Sequence, residues 1–186
     1  MSNNPKKVFC LSGKRKTGKD YIAEILHKRI PGSAVIRLSA PIKEHWAKSM
    51  NLDLKELLGD SNYKEHYRAQ MITWGEEKRR EDPSFFCLSA IEMTRGNEHP
   101  VWIVADMRRL SDLQFFQDNY PGRVTSVRIR AADQVRAQRG FQFVSGIDDA
   151  ESECGLDLVT DWDLIVQNDG DATQLEDALR RLIDLC

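Results

Sequence analysis

The sequence is poor in the residues that cross-link or metallate small proteins. Its 186 residues include only four cysteines and four histidines, and Cys10, Cys87, Cys154 and Cys186 stand far apart. No CxxC pair, HExxH spacing or Cys/His cluster occurs, which argues against a zinc site and fits free thiols in a reducing, intracellular compartment. Long apolar runs are missing too: Val101–Ala105 spans five residues, where a membrane helix needs roughly 20. Nor is there an excess of one charge. Lysine and arginine number 27 against 29 acids, a net charge of −2 that gives no general attraction to nucleic acid. The start, MSNNPKK, is polar and lacks the apolar centre of a signal peptide, so a cytoplasmic chain is expected.

What remains is an ordinary globular balance, 41% hydrophobic and 30% charged, at a length that fits about one domain. Short apolar runs at Val8–Leu11, Val35–Leu38, Val101–Ala105, Val124–Ile129 and Asp163–Val166 read as buried strands. Helical patterns fill Lys19–Ile30 and Thr173–Leu185, and nearly all of 41–96, with breaks near Gly59–Ser61 and Asp82–Pro83. Continuous apolar strands alternating with helices imply an α/β fold, a parallel sheet covered on both faces. The stretch 41–96 is too long for a crossover and is expected to form a helical lobe over one end of the sheet. The expected division is a core of 7–40, 97–130 and 158–186, a lobe at about 41–96 and a lid at about 131–157.

The strongest chemical signal is GKRKTGK, Gly13–Lys19, between the first strand and the first helix. Gly13 and Gly18 permit the tight turn, and the amides of Lys14, Arg15, Lys16 and Thr17 can then face phosphate oxygens. The helix start adds a favourable dipole, and Lys19 can bridge the terminal phosphates. Asp20 stands where Ser or Thr usually offers Mg²⁺ a hydroxyl. Four neighbouring cations can tolerate its carboxylate, which is either an oxygen ligand for a hard cation or a helix-start residue. The third strand runs into Asp106, Arg108 and Arg109. Asp106 reads as a second magnesium-orienting carboxylate or as a helix cap, and the two arginines as forks for phosphate or carboxylate.

The helix Tyr63–Arg80, read at about 100° per residue, has Tyr63, Tyr67, Met71 and Trp74 on its packing face. Lys64, Arg68, Gly75 and Arg79 border that face as the wall of an anion site or as snorkelling side chains, and Glu65, Glu76 and Arg80 point to solvent. Arg136 and Arg139 share a helical face ahead of Asp148–Asp163, a stretch with seven acids and no base. This reads as a mobile arginine-bearing flap whose acids keep it off the empty site, or as a surface hairpin.

Several blocks resemble animal-type phosphomevalonate kinases: GKRKTGKD (13–20), LSAPIKE (38–44), YKEHYR (63–68), WGEEKRREDPSFFC (74–87), ADMRRLSD (105–112), RAQRG (136–140), GIDDAESECGLD (146–157) and IVQNDG (165–170). Asp20 agrees with that family's own form of the loop. The resemblance implies a P-loop kinase fold with strand order 2-3-1-4-5, and Mg²⁺-dependent transfer from ATP to 5-phosphomevalonate in isoprenoid and sterol synthesis. It places ATP on Gly13–Asp20 with Arg136, Arg139 and Asp169, and gives catalytic parts to Lys16, Lys19, Arg108, Arg109 and Arg139. Acceptor binding falls to Lys43, Lys64, Arg68, Arg79, Arg108, Arg109, Arg128 and Asn168, and Mg²⁺ to Asp20 and Asp106, directly or through water. A monomer without nucleic-acid or membrane partners is expected. Some members end in a peroxisomal tripeptide, whereas this chain ends IDLC.

Two other nucleotide-binding classes share a phosphate loop after a first strand. A nucleoside monophosphate kinase shares loop, lid and sheet, but the many candidate cations suit a small, densely charged acid better than a base. A GTPase-type switch needs an NKxD signature, and the sequence has none.

Overall fold

The computed structural model describes residues 5–58 and 62–186, without the side chains of 62–65. Five strands, β1 (Lys7–Ser12), β2 (Ser33–Ile36), β3 (Val101–Met107), β4 (Val124–Arg130) and β5 (Leu164–Gln167), form one parallel sheet in the order β2-β3-β1-β4-β5. The strands are apolar on both faces because both are covered. Phe9, Leu11, Ile103 and Val127 pack under α1 (Lys19–Arg29) and the C-terminal helix Ala172–Ile183. Val8, Cys10, Trp102 and Val104 face the opposite layer, which includes Cys87, Ala90, Leu113 and Phe116. Successive residues of one strand thus serve two cores, the period-2 alternation hidden inside a continuous apolar run.

Between β2 and β3 come α2 (Ala40–Met50), α3 (Leu54–Leu58), α4 (Asn62–Glu81) and α5 (Phe85–Met93). The break at Asp82–Pro83 is present, with the Asp82 carboxylate accepting the Ser84 N–H at 2.9 Å. The break near Gly59–Ser61 lies outside the described residues. A further break at 51–53 was not read from the sequence: Asn51 adopts a left-handed φ of 53° and the Asp53 carboxylate starts α3 by accepting the Lys55 N–H at 2.8 Å. The second strand sits two residues earlier than expected, since the Leu38 N–H leaves the sheet for the Asp106 carboxylate at 2.6 Å. A helix not singled out in the sequence, α6 (Leu110–Asn119), follows β3. Beyond β4 lie α7 (Asp133–Gln138) and α8 (Glu151–Cys154), and α9 is Ala172–Ile183, capped by the Asp171 carboxylate on the Thr173 and Gln174 N–H groups.

Candidate active site

All five parallel strands end on the same edge of the sheet, where open α/β folds place ligands. At the end of β1 the loop Gly13–Gly18 passes so close to β4 that a Cβ at Gly13 would collide with the Ile129 carbonyl. A Cβ at Gly18, which has a φ of 96°, would collide with the Asn168 amide. Both glycines are therefore required by close approach as well as by the turn. Lys16 holds a left-handed φ of 63° within the loop, a conformation that costs a non-glycine residue about 1–2 kcal/mol.

Lys19 is only 6% exposed, and its Nζ donates to the Gly13 and Lys14 carbonyls at 2.5 and 2.9 Å. Burial, then the nearby Arg108, push its pKa well below the ordinary lysine value, with Asp20 and Asp106 pulling the other way. An added anion would favour the charged form. Arg139 donates to the carbonyls of Lys16 and Thr17 at 3.3 Å and of Asn168 at 2.8 Å, while Arg136 donates through Nε to the Arg15 carbonyl at 2.9 Å and stacks on Phe141. Asn168, 6% exposed, donates its side-chain amide to the Thr17 carbonyl at 2.8 Å. Asp169 accepts the Ala132 N–H at 2.6 Å, tying the last strand's exit to the start of the lid; that bond, with one from Gln167, lowers its pKa.

Beside the loop opens a cleft of about 680 Å³ between the sheet edge and α2–α4. Lys43, Arg68, Arg79, Arg108 and Arg109 all line it, joined by Arg37, which the sequence reading missed although it directly follows β2. Leu38, Ile42, Met71 and Ile72 supply an apolar wall, and Gly75 leaves room beside Ile42. The cleft therefore suits a small acid with a short carbon skeleton. Arg128 and Asn168, expected at the acceptor, do not line this cleft. Arg128 instead donates to the Ser12 hydroxyl at 3.0 Å and to Asp157 at 2.8 Å, because β4 lies on the far side of β1 from the cleft. The Lys64 side chain lies outside the described residues.

The acids are placed differently from the sequence reading. Glu76 does not point to solvent; it lines the cleft and pairs with Arg109, which is 5% exposed. The acids of 148–157 do not keep this segment off the loop but seat it there: Asp148 takes Arg15 through both oxygens at 3.1 and 2.9 Å, Asp157 takes Lys14 at 2.5 Å, and Glu153 pairs with Arg108. In a chain with almost balanced charge, acids in a basic site are stable only against those bases.

Asp112, also missed, is 1% exposed and organises the arginines from behind. It sits at the third position of α6 and accepts the Arg109 N–H at 3.1 Å as half of a capping box, the Arg108 N–H at 3.4 Å, and Arg79 at 3.3 Å. Burial raises its carboxyl above the usual range despite these partners. The Nε groups of Arg79 and Arg109 are buried without a hydrogen-bond partner among the described residues.

The sequence points to Asp20 and Asp106 for Mg²⁺. Asp106 is not a free ligand: its two oxygens accept the Leu38 and Ser39 N–H groups at 2.6 and 3.1 Å, pinning the entry to α2. Asp20, with a side chain 74% exposed, pairs with Arg37 at the cleft rim. Among the described residues no group of three His, Cys, Asp or Glu could cage a metal. Mg²⁺ held by ATP phosphates, water and one or two carboxylates needs no such cage, and Asp20 fits that demand.

Known proteins share the fold and show the family. Solved structures of a sugar kinase from Janibacter (14% identical, 98% of this chain and 96% of that one, TM-score 0.56) and a gluconokinase from Sinorhizobium meliloti (17%, 97% and 94%, TM-score 0.54) share the fold. The family profile described as phosphomevalonate kinase matches residues 11–122, from the loop through most of the cleft lining to α6. The phosphomevalonate kinase of Drosophila melanogaster is 42% identical over 182 residues, 96% of this chain and 95% of that protein. With a relative matched over nearly its whole length and a profile covering more than half of this chain, the chain belongs to the phosphomevalonate kinase family.

Proposed function

We propose that the chain transfers the terminal phosphoryl group of ATP to the phosphate of 5-phosphomevalonate, forming 5-diphosphomevalonate and ADP in the mevalonate route to isoprenoids and sterols. The observation that carries this reading is the basic cleft with an apolar wall opening directly beside the phosphate loop. ATP lies along Gly13–Lys19, with Arg136 and Arg139 turning from loop carbonyls to phosphate oxygens. Lys19 moves with the transferring group and stabilises the charge that develops on it; Lys16 assists from the loop. Arg108 and Arg109 hold the acceptor, aided by Lys43, Arg68 and Arg79, so that its phosphate oxygen meets the donor in line. Lys64 joins this set from α4.

Asp20 would hold Mg²⁺ together with the ATP phosphates, and the ion supplies charge neutralisation on the phosphates. The segment 131–157 acts as the lid and 41–96 as the acceptor lobe. As part of the same proposal the chain works as a monomer in the cytoplasm, without nucleic-acid or membrane partners; among the described residues no helix is long and apolar enough to cross a membrane. The test is ADP release from Mg²⁺-ATP with phosphomevalonate, mevalonate, AMP, UMP and CMP. Phosphomevalonate alone should turn over, and comparable turnover of a nucleoside monophosphate would overturn the reading.

A further inference from the structure

Glu153 lies where the two halves of the site meet. One oxygen accepts the Arg15 backbone N–H of the phosphate loop at 3.1 Å, the other pairs with the Arg108 guanidinium, and the side chain is 3% exposed. A loop amide and an arginine at a strand end are the donors that a phosphate takes. The carboxylate thus has the place and partners of an anionic ligand. Its segment is fitted closely to that position: the Ser152 carbonyl accepts from Arg108 at 3.3 Å, and a Cβ at Gly155 would meet the Glu151 carbonyl at 2.8 Å and the Arg108 carbonyl at 3.0 Å. Gly155 has ordinary helical angles, so space rather than conformation calls for glycine there.

We propose that Glu153 is a positioning residue that stands in for the acceptor's phosphate. Before the acceptor arrives, it holds Arg108 in phosphate-binding arrangement; the arriving phosphate then displaces it, and the Arg15 N–H is released to the ATP phosphates. A phosphomonoester carries about −1.5 to −2 charges and three acceptor oxygens, so it outcompetes a single carboxylate for Arg108. A ligand without a phosphate does not displace the carboxylate and leaves Glu153 seated. The inference rests on the kinase reading above for its substrate, but the displaced contact lies within this chain.

The test is Glu153→Gln, which keeps the shape and loses the charge. The KM for phosphomevalonate and the inhibition constant of inorganic phosphate, competing with the acceptor, should both fall by about tenfold, the scale of one charge-assisted hydrogen bond weakened. Inhibition by mevalonate should not change. An unchanged or raised KM overturns the proposal, as does a collapse of kcat at constant KM, which would place Glu153 on the reacting atoms. Glu153→Asp, which shortens the side chain and withdraws it from Arg108 without altering charge, should lower KM in the same way and decides the matter if Glu153→Gln does not fold. Should the wild-type chain not turn over phosphomevalonate, the kinase reading fails by itself. Calorimetric binding of inorganic phosphate to wild type and Glu153→Gln still tests the stand-in, and equal affinity would sink it.

Discussion

The back of the phosphate loop and the acceptor cleft satisfy their donors in opposite ways. Behind the loop, Lys19, Arg136, Arg139 and Asn168 donate to backbone carbonyls of residues 13–17 and 168. In the cleft, Arg37, Arg79, Arg108 and Arg109 pair with Asp20, Asp112, Glu153 and Glu76. A carbonyl is a neutral acceptor, so a phosphate replaces it with a gain in charge complementarity. A carboxylate already neutralises its arginine, and only a ligand of equal or greater charge displaces it. Lys19 and Arg139, held by carbonyls, can thus be recruited by any phosphate, whereas the cleft arginines, like Lys14 and Arg15 with Asp157 and Asp148 at the front of the loop, yield only to a strong anion.

The largest way to break this contrast is Lys19→Met. The lysine loses only two carbonyls in the free protein but an entire developing charge in the transition state. Its kcat should fall about 10³-fold while the melting temperature barely moves; a large loss of stability with modest loss of rate would mean that Lys19 is structural. Next comes Arg109→Ala in the carboxylate-neutralised half. The KM for the acceptor should rise about 30-fold, the scale of a severed buried charge pair, with the KM for ATP within about twofold. If ATP affinity fell instead, the two halves would be wrongly divided.

A smaller change tests the rim between them. Asp20→Asn removes the charge that Arg37 meets and should raise the Mg²⁺ concentration for half-maximal rate about threefold to tenfold, with Asp20→Ser recovering part of it. Unaltered Mg²⁺ dependence in both would confine Asp20 to its ion pair. The smallest effect concerns Asp157. Burial alone would raise its pKa, but hydrogen bonds and charge from Lys14 and Arg128 win and lower it. A depressed pKa gives stability that is present above the ordinary carboxylate value of about 3.9 and is lost as pH falls through the folded value. Melting curves of Asp157→Asn should therefore lie below wild type at neutral pH, by less than about 1 kcal/mol after solvent screening, and converge with it in acid. A constant gap across that range would show that the Asp157 charge contributes nothing.

The strands, the loop and the order of the sheet were legible because their signals are local or belong to the family's pattern. Buried parallel strands read as short apolar runs, and a phosphate loop is a contiguous motif whose glycines answer to nearby sterics. The basic stripe of α4 was legible through Arg68, Gly75 and Arg79, which line the cleft. Glu76 was misread because helical angle alone does not reveal Arg109 arriving from β3. Asp112 carried a weak local signal, an acid three residues after a strand-end arginine, which is the spacing of a helix cap.

By itself, then, the sequence determined how many strands the sheet has, where its glycine-rich loop lies and which side chains carry positive charge. Only the tertiary structure decided what each charge meets. The Arg15–Asp148, Lys14–Asp157 and Arg108–Glu153 pairs join residues 133, 143 and 45 positions apart, as their numbers give directly. Pattern within a segment reports the face a side chain occupies. Which opposite charge meets it depends on how the sheet edge folds three distant segments together, and at that edge desolvation makes an unpaired charge too costly to leave alone.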